Sequence, residues 1–174
     1  MRFIIFFTGA MLLFASCSTE IDRKRKPIMK FEKFLTPEIV LDSLPDTLGL
    51  HLYNFASHFR EHPSSEQYLY AATLIAERSS HRFDAARWCE VFIAHFPKSK
   101  RLKQATVAAA HNFEMTGNYE KAIKYYKMAA KQQGNSKLGE QCTQAAKMLK
   151  LGLVTPEQQL EYMLKQQETK DSAR

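Results

Sequence analysis

Residues 108–130 read AAAHNFEMTGNYEKAIKYYKMAA, and this stretch decides the fold. On both sides of the Gly-Asn step, apolar residues recur mostly three or four positions apart, as on one face of a helix. Before the step, starting just upstream of the quoted stretch, they are Leu102, Ala105, Ala109 and Phe113. After it they are Tyr119, Ala122, Ile123, Tyr126 and Ala129. Gly117 suits the left-handed residue that ends a helix, and Asn118 suits the cap that begins the next. The stretch predicts two helices joined by a tight turn.

The same design recurs along the chain. Pro63, Pro97 and Gly134 each end a helical pattern and lie 34 and 37 residues apart. The segments HRFDAARWCEVF and GNYEKAIKYYKM align at an offset of 36, with Phe83 matching Tyr119. Periods in this range are typical of solenoids built from helix pairs.

Further helices are predicted from their apolar positions, which are Leu48, Leu52, Phe55 and Phe59; Leu69, Ala72 and Ala76; Ala85, Cys89, Phe92, Ile93 and Phe96; and Leu138, Cys142, Ala145 and Leu149. Thr36-Pro37-Glu38 predicts the start of a short helix that stops before Pro45, and Thr155 with Gln158 predicts a capping box that opens a last helix. No segment alternates apolar and polar residues as a half-buried strand does. We therefore predict an all-α fold of about three helix pairs plus a capping helix.

The stretch 103–136 resembles the tetratricopeptide repeat. The resemblance rests on a small-residue step, an aromatic, a Gly-Asn-Tyr turn and a spaced Ala-Tyr-Ala series: Ala109, Ala110, Phe113, 117–119, Ala122, Tyr126, Ala129. Thr106 and Gly134 depart from the tryptophan and proline of that family. The resemblance extends over roughly residues 46–150 and implies a short superhelix. With the turn FPKSK, it is also similar to lipoproteins of the barrel-assembly type and to the periplasmic coordinator of the Tol-Pal system.

In the tetratricopeptide family, the first helix of each pair lines a concave groove that binds a peptide or another protein. Resemblance and helical phase together imply a groove with these candidate residues: Tyr70, Glu77, Gln104, His111, Gln141, Gln144. An envelope protein or peptide is the partner implied.

The amino terminus carries a secretory pattern. Arg2 precedes an apolar run over residues 3–15, and Cys17 follows two small residues. The run is shorter than the ~20 residues of a membrane span. This resembles the bacterial lipoprotein signal, which implies cleavage before Cys17, lipid on its thiol, and residence in the outer membrane facing the periplasm. An uncleaved anchor or an ordinary secretory signal is the alternative.

These features divide the chain into a lipoprotein signal peptide over 1–16, a lipidated tether over 17–35, a helical domain over 36–165 and a disordered tail over 166–174. The basic run at 23–26 suits either a solvated tether or contact with anionic headgroups. The tail is polar and charged, as disordered segments are.

The chain has a formal net charge of +7, and the excess is local. Residues 98–150 carry 11 basic residues against three glutamates, so an acidic partner is plausible for this part. Lys121 and Lys124 mark an alternative basic surface. The pattern indicates no nucleic-acid motif.

The sequence shows no convergent set of acid, base and nucleophile, no phosphate loop and no paired-cysteine motif. His58 and His62 have the spacing of metal ligands. His51 lies seven residues before His58, which is ~10.5 Å along the helix axis, and this is too far to bind the same ion. A third ligand is therefore lacking. Cys89 and Cys142 lie in apolar stripes and are expected to be buried free thiols. We predict no cofactor, no metal and no enzymatic activity. The hypothesis is a membrane-anchored, non-catalytic interaction scaffold in outer-membrane assembly or envelope maintenance. The alternative is a periplasmic ligand- or metal-binding protein or an enzyme.

Overall fold

The computed structural model describes residues 20–35 and 39–171, and within these ranges the regular structure is helical with no strand. The predicted all-α class is confirmed. Helix α1 covers residues 20–29. The other α-helices are α2 Leu48–His58, α3 Ser65–Arg78, α4 Arg82–His95, α5 Leu102–Met115, α6 Tyr119–Gln133, α7 Lys137–Lys150 and α8 Pro156–Asp171. Two short 3-10 helices, Glu32–Phe34 and Leu41–Ser43, lie between α1 and α2.

The chain forms two compact units. The N-terminal unit ends at Ser99 and the C-terminal unit begins at Lys100. In the N-terminal unit, α3 packs against both α2 and α4. The fully buried Phe55, Leu69 and Phe92, one from each helix, form the centre of its core. Trp88 on α4 stacks on Tyr53 of α2, with ring centroids 4.8 Å apart.

Small residues build the core of the C-terminal unit. Helix α6 packs against both α5 and α7. Ala105, Ala109 and Ala122 are fully buried, so the helix backbones can approach closely. The Phe113 ring on α5 stacks on Tyr125 of α6 at 5.6 Å. The alanine stripe predicted for these two helices is confirmed.

The predicted helix ends in this unit are also confirmed. Gly117 has a φ of 75°, and the Asn118 side chain accepts a hydrogen bond from the backbone N–H of Lys121. The box before α8 is reciprocal: Thr155 Oγ1 accepts from the Gln158 N–H at 3.3 Å, and Gln158 Oε1 accepts from the Thr155 N–H at 3.2 Å. These bonds satisfy backbone donors that a helix start leaves unpaired.

The N-terminal segment differs from the tether predicted over 17–35. Residues 20–29 are helical, and Ile28 and Leu35 are fully buried. The run of basic residues concealed this short apolar pattern in the sequence. The helix start predicted at 36–38 lies outside the described residues, as does Cys17.

The C-terminal end differs from the predicted disordered tail as well, because α8 continues to Asp171. The side chains of Leu160, Met163 and Leu164 on this helix are each more than two-fifths exposed. Helix α8 therefore leaves an apolar stripe largely open to solvent.

Candidate functional site

A cluster of polar side chains fixes the N-terminal segment on α3. The Arg25 guanidinium donates two hydrogen bonds to the Glu32 carboxylate, at 2.6 and 2.9 Å. The Tyr68 hydroxyl donates to the same carboxylate, and the Gln67 side chain donates to the Leu35 carbonyl. Residues 20–35 are thus held by charge-assisted bonds as well as by apolar burial.

The pKa shifts in this cluster are consistent with a cluster that fixes the N-terminal segment on α3. The hydrogen bonds from Arg25 are the main cause that lowers the pKa of Glu32, and they raise the pKa of Arg25. Burial is the main cause that raises the pKa of Tyr68. Glu32 therefore remains a charged acceptor between two donors that remain protonated at neutral pH.

Two open clefts flank the docked segment. One has a volume of about 550 Å³ and includes Arg23, Lys24, His51 and His58 in its lining. The other, of about 640 Å³, lies between residues 27–31 and residues 42–51. Glu20 offsets part of the positive charge beside the first cleft, because its carboxylate lies 3.2 Å from His58 Nε2 and 3.7 Å from Lys24 Nζ. The first cleft has mixed charge and is open to solvent.

The outer face of the same segment is basic. Arg23, Lys26, Lys30 and Lys33 are exposed, and Met29 is 58% exposed among them. We name this set, Arg23, Lys26, Met29, Lys30 and Lys33, the basic face. The basic run at 23–26 was recognised in the sequence, but the sequence did not predict that these residues belong to a folded segment.

The predicted groove residues fall into two groups. In the C-terminal unit, Gln104 and His111 on α5 and Gln141 and Gln144 on α7 are all exposed. In the N-terminal unit, Tyr70 and Glu77 on α3 are only half-buried. The Tyr70 ring lies 5.6 Å from the ring of Phe92, so it contributes to the core of that unit. We name the first four residues the glutamine face.

The alternative basic surface lies on α6. Lys124 is exposed, with its ammonium 5.3 Å from the Tyr125 ring, whereas Lys121 is half-buried with its ammonium 4.9 Å from the Phe113 ring. Both lysines cover aromatic rings of their own unit. Lys121 is therefore less available to a partner than Lys124.

The histidines near the first cleft have separate partners. His58 faces Glu20, while His62 Nδ1 accepts a hydrogen bond from the Ser64 N–H and its ring packs on Phe55. Burial is the main cause that lowers the pKa of His62. Among the described residues, no three His, Cys, Asp or Glu side chains gather as a metal site would require.

The two cysteines of the described chain are both buried free thiols, as predicted. Cys89 belongs to the N-terminal unit and Cys142 to the C-terminal unit. Burial raises the pKa of Cys89 to about 12 and also raises the pKa of Cys142. Neither thiol has the lowered pKa of a nucleophile.

Within residues 20–35 and 39–171, no helix combines the length and apolar character needed to span a membrane. Comparison with known protein families, curated proteins and solved structures finds no match to this chain.

Proposed function

We propose that this protein is a non-catalytic interaction scaffold of the bacterial cell envelope, anchored to the outer membrane by lipid on Cys17 and facing the periplasm. It would bind another envelope protein or peptide in outer-membrane assembly or envelope maintenance. We further propose that its helices are tetratricopeptide-like pairs with a terminal capping helix. The amino-terminal pattern around Cys17 supports the anchor, and the glutamine face supports the binding role.

The glutamine face is the observation that carries the binding role. Gln104 and His111 lie seven residues apart on α5, and Gln141 and Gln144 lie three apart on α7, so each pair shares one side of its helix. Both helices pack against α6, which fixes them within one unit. Amide and imidazole groups on a rigid support can bind a peptide with little loss of conformational entropy.

The anchor is tested by acylation. Cells that express the full chain and are fed radiolabelled palmitate should incorporate label into the wild-type protein but not into Cys17→Ser, because the thiol is the proposed attachment point. Cys89→Ser and Cys142→Ser are the matched controls and should keep the label, since both thiols are buried. Equal labelling of Cys17→Ser and the wild type would contradict the proposed anchor.

The binding role is tested by replacing the glutamine face. The full-length variant Gln104→Ala, His111→Ala, Gln141→Ala, Gln144→Ala should lose most of its crosslinked envelope partner while it keeps its helical content. Exposed side chains contribute little to stability, within about 0.5 kcal/mol each. Partner recovery from crosslinked membranes is compared by quantitative mass spectrometry.

The control carries alanines at the three exposed lysines of α6: Lys124→Ala, Lys127→Ala, Lys131→Ala. This control should keep the partner. If the lysine variant loses the partner and the glutamine-face variant keeps it, the basic surface of α6 is the binding site instead.

A further inference from the structure

The basic face is presented by a folded segment rather than by a free tether. Ile28 and Leu35 of this segment are fully buried, and the ion pair between Arg25 and Glu32 joins its α1 helix to its 3-10 helix. Its four cations follow one another at spacings of three, four and three residues. Arg23 and Lys26 are therefore neighbours on α1, whereas Lys30 lies in the turn that follows and Lys33 in the 3-10 helix after it. Their positions are fixed relative to the N-terminal unit.

The composition of the basic face favours a lipid surface over bulk solvent. Met29 is 58% exposed and stands between Lys26 and Lys30. The Lys30 ammonium lies 4.9 Å from the half-buried Phe31 ring, and the Lys33 ammonium lies 4.8 Å from the half-buried Phe34 ring. Basic residues interleaved with apolar and aromatic side chains are typical of surfaces that lie at the boundary between headgroups and acyl chains.

The charge of the segment is complementary to anionic headgroups. Residues 20–35 contain six basic and three acidic residues. Glu32 is already paired with Arg25, and the Glu20 carboxylate lies 3.2 Å from His58 Nε2 and 4.0 Å from Arg23 Nη2. Asp22 is the acidic residue exposed beside the cations. The outer side is therefore left with a net positive charge.

The position in the chain brings this surface to a membrane. Three peptide steps separate Cys17 from Glu20, the first described helical residue, and they span at most about 10 Å. If Cys17 carries the acyl chains, the basic face cannot lie far from the bilayer surface. The basic residues of the C-terminal unit have no such constraint.

We propose that the basic face is a membrane-contacting surface that takes anionic lipid headgroups and so orients the N-terminal unit on the bilayer. The four cations contact headgroup phosphates, and the Met29 side chain enters the boundary with the acyl chains. The cellular role of this contact rests on the proposed anchorage through Cys17. The affinity of the surface for lipid is a separate property and is measured without the anchor.

The test is sedimentation with vesicles, using residues 18–174, which contain every described residue. The protein should bind phosphatidylcholine vesicles that contain phosphatidylglycerol and should not bind pure phosphatidylcholine. The variant Arg23→Glu, Lys26→Glu, Lys30→Glu, Lys33→Glu should bind the anionic vesicles more than about tenfold more weakly. Binding of the unchanged protein should fall as salt screens the charges. Met29→Ser should weaken binding with no change in charge.

The matched control reverses four exposed lysines of the C-terminal unit: Lys124→Glu, Lys127→Glu, Lys131→Glu, Lys137→Glu. It makes the same change in net charge and should keep most of the binding. Equal losses in both variants would mean that net charge alone acts, which overturns the proposal. The proposal also fails if the basic-face variant binds vesicles normally but loses an acidic protein partner.

The variants should remain folded, because the residues that hold the segment are unchanged in all of them: Arg25, Ile28, Glu32, Leu35. Folding is checked by a separate measurement. Resistance of residues 20–35 to chymotrypsin, which cleaves after the unchanged Phe31 and Phe34, should match the wild type, and so should the helical signal. Loss of palmitate labelling tests the anchor and leaves the vesicle result intact. Failure of the anchor and failure of the basic face are therefore distinguishable.

Discussion

Phe55→Ala is expected to destabilise the N-terminal unit by about 3–5 kcal/mol. Phe55 is fully buried, and its ring lies 5.0 Å from the rings of Phe59 and His62 and 5.3 Å from that of Tyr68. Alanine would leave a cavity at the junction of α2, α3 and the turn between them. The docked segment would also lose support, since Tyr68 binds Glu32.

The change in stability can be measured for the N-terminal unit separately. The chain has a single tryptophan, and Trp88 stacks on Tyr53 within the N-terminal unit. Urea unfolding followed by its fluorescence should show a lower midpoint for Phe55→Ala. Leu50→Ala on the same helix is the control, because Leu50 is 56% exposed and should change stability by less than about 0.5 kcal/mol. Equal midpoints for the two variants would contradict the described core.

Gly139→Ala is expected to destabilise the turn between α6 and α7 by about 1–3 kcal/mol, as overpacking does. A Cβ atom at this position would lie 2.1 Å from the carbonyl oxygen of Gly134. That oxygen belongs to the backbone of a turn whose Gly134 has a φ of 58°, so it cannot move as the end of a side chain would. The expected loss runs against helix propensity, which favours alanine over glycine by about 1 kcal/mol.

Hydrogen exchange of peptides from residues 119–150, measured by mass spectrometry, reports on this turn. Gly139→Ala should speed exchange in α6 and α7. Gln141→Ala, two residues along the same helix and exposed, should leave exchange near the wild-type rate. Slower exchange in Gly139→Ala would show that propensity outweighs the clash and that the close approach is absent.

Local signals in the sequence were sufficient for most of the fold. Gly117 and Asn118 each have a single conformational preference that no distant contact has to supply, and both occur as predicted. Ala105, Ala109 and Ala122 were recognisable because a helix repeats its buried face every three or four residues. Where the pattern was less regular the register slipped: Leu138 is 39% exposed, and Ala146 rather than its neighbour Ala145 is buried.

Features that depend on distant contacts could not be predicted. The docking of residues 20–35 joins Glu32 to Tyr68 across 36 positions, and nothing near either residue announces the pairing. A spacing of seven residues between Ile28 and Leu35 was the available signal. Gly139 is similar, because its requirement comes from the path of the backbone at Gly134 and not from its neighbours in sequence.

The sequence predicted which side of a helix a candidate residue occupies, but not how that side is packed in the fold. The resemblance and helical phase together predicted four groove positions that the structure has exposed: Gln104, His111, Gln141, Gln144. Tyr70 was placed with them, yet its ring packs near Phe92, because helical phase cannot distinguish the edge of a core from open solvent. The basic face was hidden because its existence depends on the docking of residues 20–35.

The docking of residues 20–35 also imposes an order of events. The chain is made from its amino terminus, so this segment exists before α3, to which Tyr68 belongs. At a synthesis rate of roughly 5–20 residues per second, the 36 positions between Glu32 and Tyr68 take about 2–7 s. During that interval residues 20–35 have no α3 on which to dock. Residues 20–35 can therefore dock only after α3 has been made.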